Sequence, residues 1–130
     1  MLRRSLLFVV LASCFAIISS CGESSLKGQL AVPDEGFVGD RQQGQRLYRR
    51  ACQSCHGLDA SGSKQGPPLV HKVYEPGHHA DLSFYMAVSK GTRAHHWTFG
   101  DMPPIPGISP DEVGHIITYV RDLQRRAGIF

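Results

Sequence analysis

Cys52-Gln53-Ser54-Cys55-His56 constrains this chain more than any other stretch. Two thiols separated by two residues and followed directly by an imidazole form the spacing that ties a haem to a protein covalently. Each thiol can add across one vinyl group of the porphyrin, and the short gap lets both reach one ring edge. His56 then lies close enough to bind the iron from one face. A chain so tied folds around a flat, largely apolar disc. An axially ligated iron of this kind has its redox potential set by the ligands, which points to passage of single electrons. The competing uses of a Cys-x-x-Cys pair lack support here. A zinc site wants two further ligands at similar spacing, and no second Cys pair follows. A thioredoxin-like centre belongs among alternating strands and helices, whereas the segment before Cys52 reads as helix and no strand run stands out.

The remaining cysteines lie at 14 and 21, in an N-terminal segment of secretory design. Met1-Leu2-Arg3-Arg4 is a basic head, Leu6 to Ile18 is a mostly apolar run of thirteen residues, and Ser19-Ser20-Cys21-Gly22 supplies small residues at its end. Thirteen residues fall short of the ~20 that cross a bilayer, so residues 1–20 read as a removed signal peptide. Ile18-Ser19-Ser20-Cys21 also resembles the bacterial lipobox, which makes Cys21 a lipidation site and the first mature residue. Leu11-Ala12-Ser13-Cys14 fits the same local pattern but leaves too short an apolar core before it. Acyl chains on Cys21 would give a lasting hold on a membrane, each buried CH₂ adding about 0.8 kcal/mol. On this reading no thiol remains for a structural disulfide.

Loss of residues 1–20 leaves 110, enough for one small domain. Arg3 and Arg4 leave with them, lowering the formal charge from +3 to +1, and two ionised haem propionates would bring it near zero. Such a chain lacks the basic face that nucleic acid demands. It also lacks a strong overall field to steer a redox partner. Residues 21–39 carry the lipidated Cys21 and a Gly-, Ser- and acid-rich linker, and residues 40–130 form the domain. Neither an internal repeat nor a second attachment motif appears, so one haem is expected, supplying much of the apolar interior of so small a core.

The expected architecture is all-α, with three main helices. The first starts at Asp40, a capping residue with Gln43 three positions on, and places Gly44, Leu47, Tyr48 and Ala51 on one face as it delivers Cys52. The second spans about Asp81 to Lys90, with Leu82, Tyr85, Met86 and Val88-Ser89 inward and Gly91 as its stop. The third opens on Ser109-Pro110-Asp111-Glu112, a capping box with Pro at the first helical position. Val113, Ile116, Ile117, Val120 and Leu123 then repeat at helical spacing. Arg121, Arg125 and Arg126 at its end suit the helix dipole and read as solvated.

The far side of the iron takes a second ligand or stays open. Met86 sits in an amphipathic helix, where Met usually fills core. Met102 sits in the turn-rich Gly100-Asp101-Met102-Pro103-Pro104, which suggests a rigid hairpin presenting its sulfur inward. The metal ligands are therefore expected to be His56 and Met102, with His71, His78, His79, His95 and His96 as competitors. The pairs His78-His79 and His95-His96 are read as surface or interface residues in preference to a second metal site, because neighbours on extended chain point opposite ways. His115 reads as surface. Gly66-Pro67-Pro68-Leu69 is placed beside His56, where a proline carbonyl suits the second ring N–H of a metal-bound histidine.

From Asp40 to Gly128 these features resemble class I cytochrome c. Gly44-Gln45-Arg46-Leu47-Tyr48 matches that family's Gly-x-x-x-aromatic helix, with Cys52 four residues on. Gly66-Pro67-Pro68-Leu69 matches its Gly-Pro-x-Leu loop, which implies that the Pro67 carbonyl accepts from His56. Ile116 and Tyr119 match the apolar–aromatic pair of its C-terminal helix, which crosses the first helix at glycine. Met102 matches its distal Met. Trp97, five residues before Met102, is not at the position of the propionate-bonding Trp of mitochondrial members. The resemblance implies one covalent haem c attached outside the bacterial cytoplasmic membrane.

The function expected is electron transfer, as a carrier or as the haem subunit of a membrane-associated respiratory oxidoreductase, by a monomer or complex subunit that meets redox proteins. The alternatives are a haem-based ligand binder or sensor with an open distal site, and a haem-free metal or redox protein. No acid–base constellation suggests an enzyme. The expected location is the periplasmic side of a bacterial membrane, through the lipid on Cys21.

Overall fold

The computed structural model describes residues 31–130. The signal segment, Cys21 and the first part of the linker lie outside the described residues. Four α-helices follow in order: α1 (Arg41–Ala51), α2 (Gln53–His56), α3 (Asp81–Lys90) and α4 (Pro110–Arg126). Single 3₁₀ turns at Leu58–Ala60 and Lys72–Tyr74 punctuate the loop between α2 and α3. Among the described residues there is no strand, only one antiparallel bridge between Thr92 and Met102. None of the described helices is long and apolar enough to cross a membrane.

The helix starts follow their capping chemistry. The Asp40 carboxylate accepts from the Gln43 backbone N–H. At α4 the Ser109 hydroxyl accepts from the Glu112 N–H while the Glu112 carboxylate accepts from the Ser109 N–H, with Pro110 at the first turn. Each cap satisfies donors that a helix start would otherwise leave unpaired, by a reciprocal box only at α4. Gly91, at φ +75°, ends α3.

The core is the crossing of α1 on α4. Leu47 and Tyr48 from α1 pack with Ile116, Tyr119 and Val120 from α4, together with Cys52 and Ala60. Full burial of each such apolar side chain is worth about 1.5–3 kcal/mol. Gly44 makes the crossing possible: a Cβ there would sit 1.9 Å from the His115 carbonyl oxygen. The Tyr48 and Tyr119 rings meet at 5.4 Å in a tilted pair.

Four expectations need correction. In α3 Leu82 is 51% exposed, Met86 is half-exposed and Ser89 is exposed, whereas Phe84 packs against the core. Helical rotation put the inner face one residue away from the one read from the apolar spacing. Arg121 is buried, not solvated: its guanidinium donates to Asp81, to the Tyr74 and His79 carbonyls and to Gln124. His115 is more than surface, since its Nδ1 accepts from the Asp40 N–H at 2.8 Å and its ring meets Phe37 at 4.9 Å. The paired histidines do not point apart, because neither pair lies on extended chain. The rings of His78 and His79 stack at 4.6 Å, and those of His95 and His96 stand 4.2 Å apart.

Candidate haem site

The pentapeptide forms one helical turn. The Cys55 and His56 N–H groups both donate to the Cys52 carbonyl, which fixes the order in which the thiols and the imidazole leave the backbone. Cys52 is buried and Cys55 is exposed. Burial pushes the Cys52 thiol up to about 11, with Cys55 adding to the shift.

The chain after the motif folds back to hold it. The Gly62 N–H donates to the His56 carbonyl at 2.7 Å, and the Ser63 hydroxyl donates to the Cys55 carbonyl at 2.6 Å. Gly57, at φ +77°, makes the reversal, and a Cβ on it would lie 2.0 Å from the Gly62 oxygen. Gly66 presses on the motif so closely that a Cβ would come within 2.8 Å of the Cys55 oxygen. That approach brings the Pro67 carbonyl to 2.9 Å from His56 Nδ1. Nδ1–H therefore donates to Pro67, and the Nε2 lone pair is left for a metal. Burial lowers the His56 pKa, which favours the neutral, ligating form, while the Pro67 bond opposes part of that shift.

His56 and Cys52 open into a cavity of about 470 Å³, within the range of ligand and cofactor sites. Its walls come from the chain after α1: Pro67 and Leu69 from the loop, Phe84, Met86 and Val88 from α3, Trp97 and Met102 from the next loop, and Val113 and Ile116 from α4. Met102 is held at the wall by paired backbone bonds, since its N–H donates to the Thr92 carbonyl and its carbonyl accepts from the Thr92 N–H, both at 2.9 Å. The expected hairpin is thus a loop closed by a single bridge. Met86 also reaches the cavity, from a half-exposed helical position. Of the competing histidines, His79, His95 and His96 line the cavity. The Trp97 indole N–H is buried without an acceptor in hydrogen-bonding geometry.

The residues fit a covalent haem. Two thiols at the required spacing stand beside a neutral, oriented imidazole, and the mostly apolar cavity carries one orphaned donor. Sequence reasoning missed Phe84 and Arg121. A helical-face count could have found Arg121, which lies four residues beyond Ile117, with Gln124 four beyond Val120.

Residues 42–124 match the family described as Cytochrome c. The chain belongs to the cytochrome c family, whose members carry a covalently bound haem c, and Cys52 and Cys55 fit the paired thioether attachment site. Among solved structures it is similar to cytochrome CL from the marine methylotrophic bacterium Methylophaga aminisulfidivorans MPT, at 29% identity and a TM-score of 0.48. That match covers 62% of this chain and 51% of the other, so the chain spans about half the length of that cytochrome. No curated protein matches the chain.

Proposed function

We propose that this protein is a single-haem electron carrier, or the haem subunit of a membrane-associated oxidoreductase, with His56 and Met102 as axial ligands. The observation that carries the reading is the convergence of Cys52, His56 and Met102 on one apolar cavity, with His56 oriented by Pro67. Bound haem supplies a one-electron Fe(III)/Fe(II) couple. The protein's part is to hold its two ligands still. His56 offers Nε2 while Nδ1–H is occupied by Pro67, which raises the basicity of the ring. Met102 offers a soft neutral sulfur from a bridged backbone, which favours the ferrous state and raises the potential. Trp97 places a buried indole N–H on the cavity wall, and the apolar lining would keep water from a bound ring.

Residues 1–20 act in this reading as a removed signal peptide, Cys21 as the lipidated first residue, residues 21–39 as a tether and residues 40–130 as the haem domain. The protein then works on the periplasmic side of a bacterial membrane with redox proteins as its partners.

Two measurements test the proposal. Met102→Ala in the haem-loaded protein should abolish the weak far-red band of Met-ligated ferric haem and admit CO to the reduced form. Ready CO binding by the reduced wild type would overturn the carrier reading in favour of an open-site ligand binder. Cys21→Ala should release the protein from membranes, and retention there would contradict the lipid anchor.

A further inference from the structure

We propose that His78, His79 and His96 form a binding site for one divalent late first-row transition-metal ion at the rim of the haem cavity. Their ligating ring atoms all lie within 4.8 Å of one another. Imidazole nitrogens around a tetrahedral ion, each ~2.0–2.1 Å from the metal, stand roughly 3.3 Å apart. The remaining gap, at most about 1.5 Å, is within reach of side-chain rotation about χ1 and χ2, and His78 and His96 are exposed.

Two long-range anchors bring these residues together. The 78–79 turn is tied to α4, because the buried Arg121 donates to the His79 carbonyl as well as to that of Tyr74. Within the turn, both the His78 and the His79 N–H groups donate to the Glu75 carbonyl, which swings the two rings to one side. The 95–96 turn is fixed from the opposite direction by the Thr92–Met102 bridge and by the Ala94 N–H on the Asp101 carboxylate.

The ring orientation itself points to a ligand. His79 Nδ1 lies 2.7 Å from the Val73 carbonyl, so Nδ1–H is engaged and the Nε2 lone pair faces the cluster. A backbone carbonyl on the far nitrogen is the arrangement that orients metal-binding histidines, and it repeats at His95, whose Nδ1 lies 2.8 Å from the Arg93 carbonyl. The His95 ring adds a fourth imidazole beside the three, 4.2 Å from that of His96. The positive charge of Arg121 is offset by its pair with Asp81.

Donor chemistry selects the ion. Three neutral imidazoles suit Zn²⁺, Cu²⁺ or Ni²⁺ and are poor ligands for Mg²⁺ or Ca²⁺, which take oxygen. A dication bound there would also favour the ferrous haem through its field, so metal and electron would bind cooperatively.

The test is a calorimetric titration of tag-free, haem-loaded protein with Zn²⁺, which is redox-inert toward the iron, after treatment with chelator. One ion per chain is expected to bind, with affinity at least tenfold weaker in His78→Ala and lost in the His78→Ala/His96→Ala double variant. His71→Ala, an imidazole outside the cluster, should keep it. Helical circular dichroism and haem content report whether each variant has folded. No zinc binding by a wild type that shows the far-red band overturns the metal site and leaves the axial assignment standing. Unchanged binding by a folded double variant also overturns it. Absence of both binding and band means that a clustered histidine has taken the iron, which overturns both proposals.

Discussion

The hydroxyl of the fully buried Tyr48 donates to the Gly57 carbonyl at 2.8 Å, joining the inner face of α1 to the residue directly after His56. The bond ties the helix that precedes the attachment motif to the turn that follows it, so the motif is clamped from both ends. Tyr48→Phe keeps the ring contact with Tyr119 and removes only the hydroxyl. The expected loss is about 1–3 kcal/mol in urea denaturation of the haem-loaded protein, the usual penalty for a buried acceptor left unpaired. An unchanged midpoint would show that the clamp has no net weight.

Gly44→Ala sets two effects of opposite sign against each other. Helix propensity favours alanine by about 1 kcal/mol. Against that, the new Cβ would meet the His115 carbonyl at 1.9 Å, with backbone on both sides and no flexible atom to move. Overpacking of this kind costs about 1–3 kcal/mol. A net destabilisation is expected, and a raised melting temperature would mean that α1 and α4 can separate without loss.

The Arg121–Asp81 pair is asymmetric, with the arginine side chain 8% exposed and the aspartate 61%. Arg121→Met removes the donor to two carbonyls and to Gln124 at once, at an expected cost of about 2–4 kcal/mol. Asp81→Asn, at the solvated end, should cost less than about 1 kcal/mol. Equal effects would show that the pair's charge, not the carbonyl network, holds the loop to α4.

Acid should weaken the fold through Asp122 and Glu112. The Arg41 hydrogen bond lowers the Asp122 pKa, with Arg126 adding to it. Glu112 is lowered first by the Ser109 backbone N–H and then by Arg50. Both folded values lie below the unfolded ones, so their stabilisation is complete above about pH 4–4.5 and fades as pH falls toward the folded values. Stability of the haem-loaded protein measured from pH 7 to pH 3 should decline through that window. The double variant Asp122→Asn/Glu112→Gln should flatten the decline.

What could be read from the chain alone was whatever depends on neighbours three or four residues apart. The Asp40 and Ser109 caps, the spacing of the Cys52–His56 motif, the stop at Gly91 and the apolar stripe of α4 are short-range features of this kind. They sufficed for an all-α domain built around an attached haem. The convergence of distant segments was decided only by the tertiary structure. Arg121 lies at the end of a helix where sequence reads a solvated cation, yet the loop 42 residues earlier closes over it and supplies carbonyls as partners. The histidine pairs look opposed on an extended chain, and two turns anchored from opposite sides bring them into one cluster. Periodicity records which face of an element is apolar, but a loop carries no period. Its path is set by where its backbone donors and acceptors find partners, and those partners lie far away in the chain.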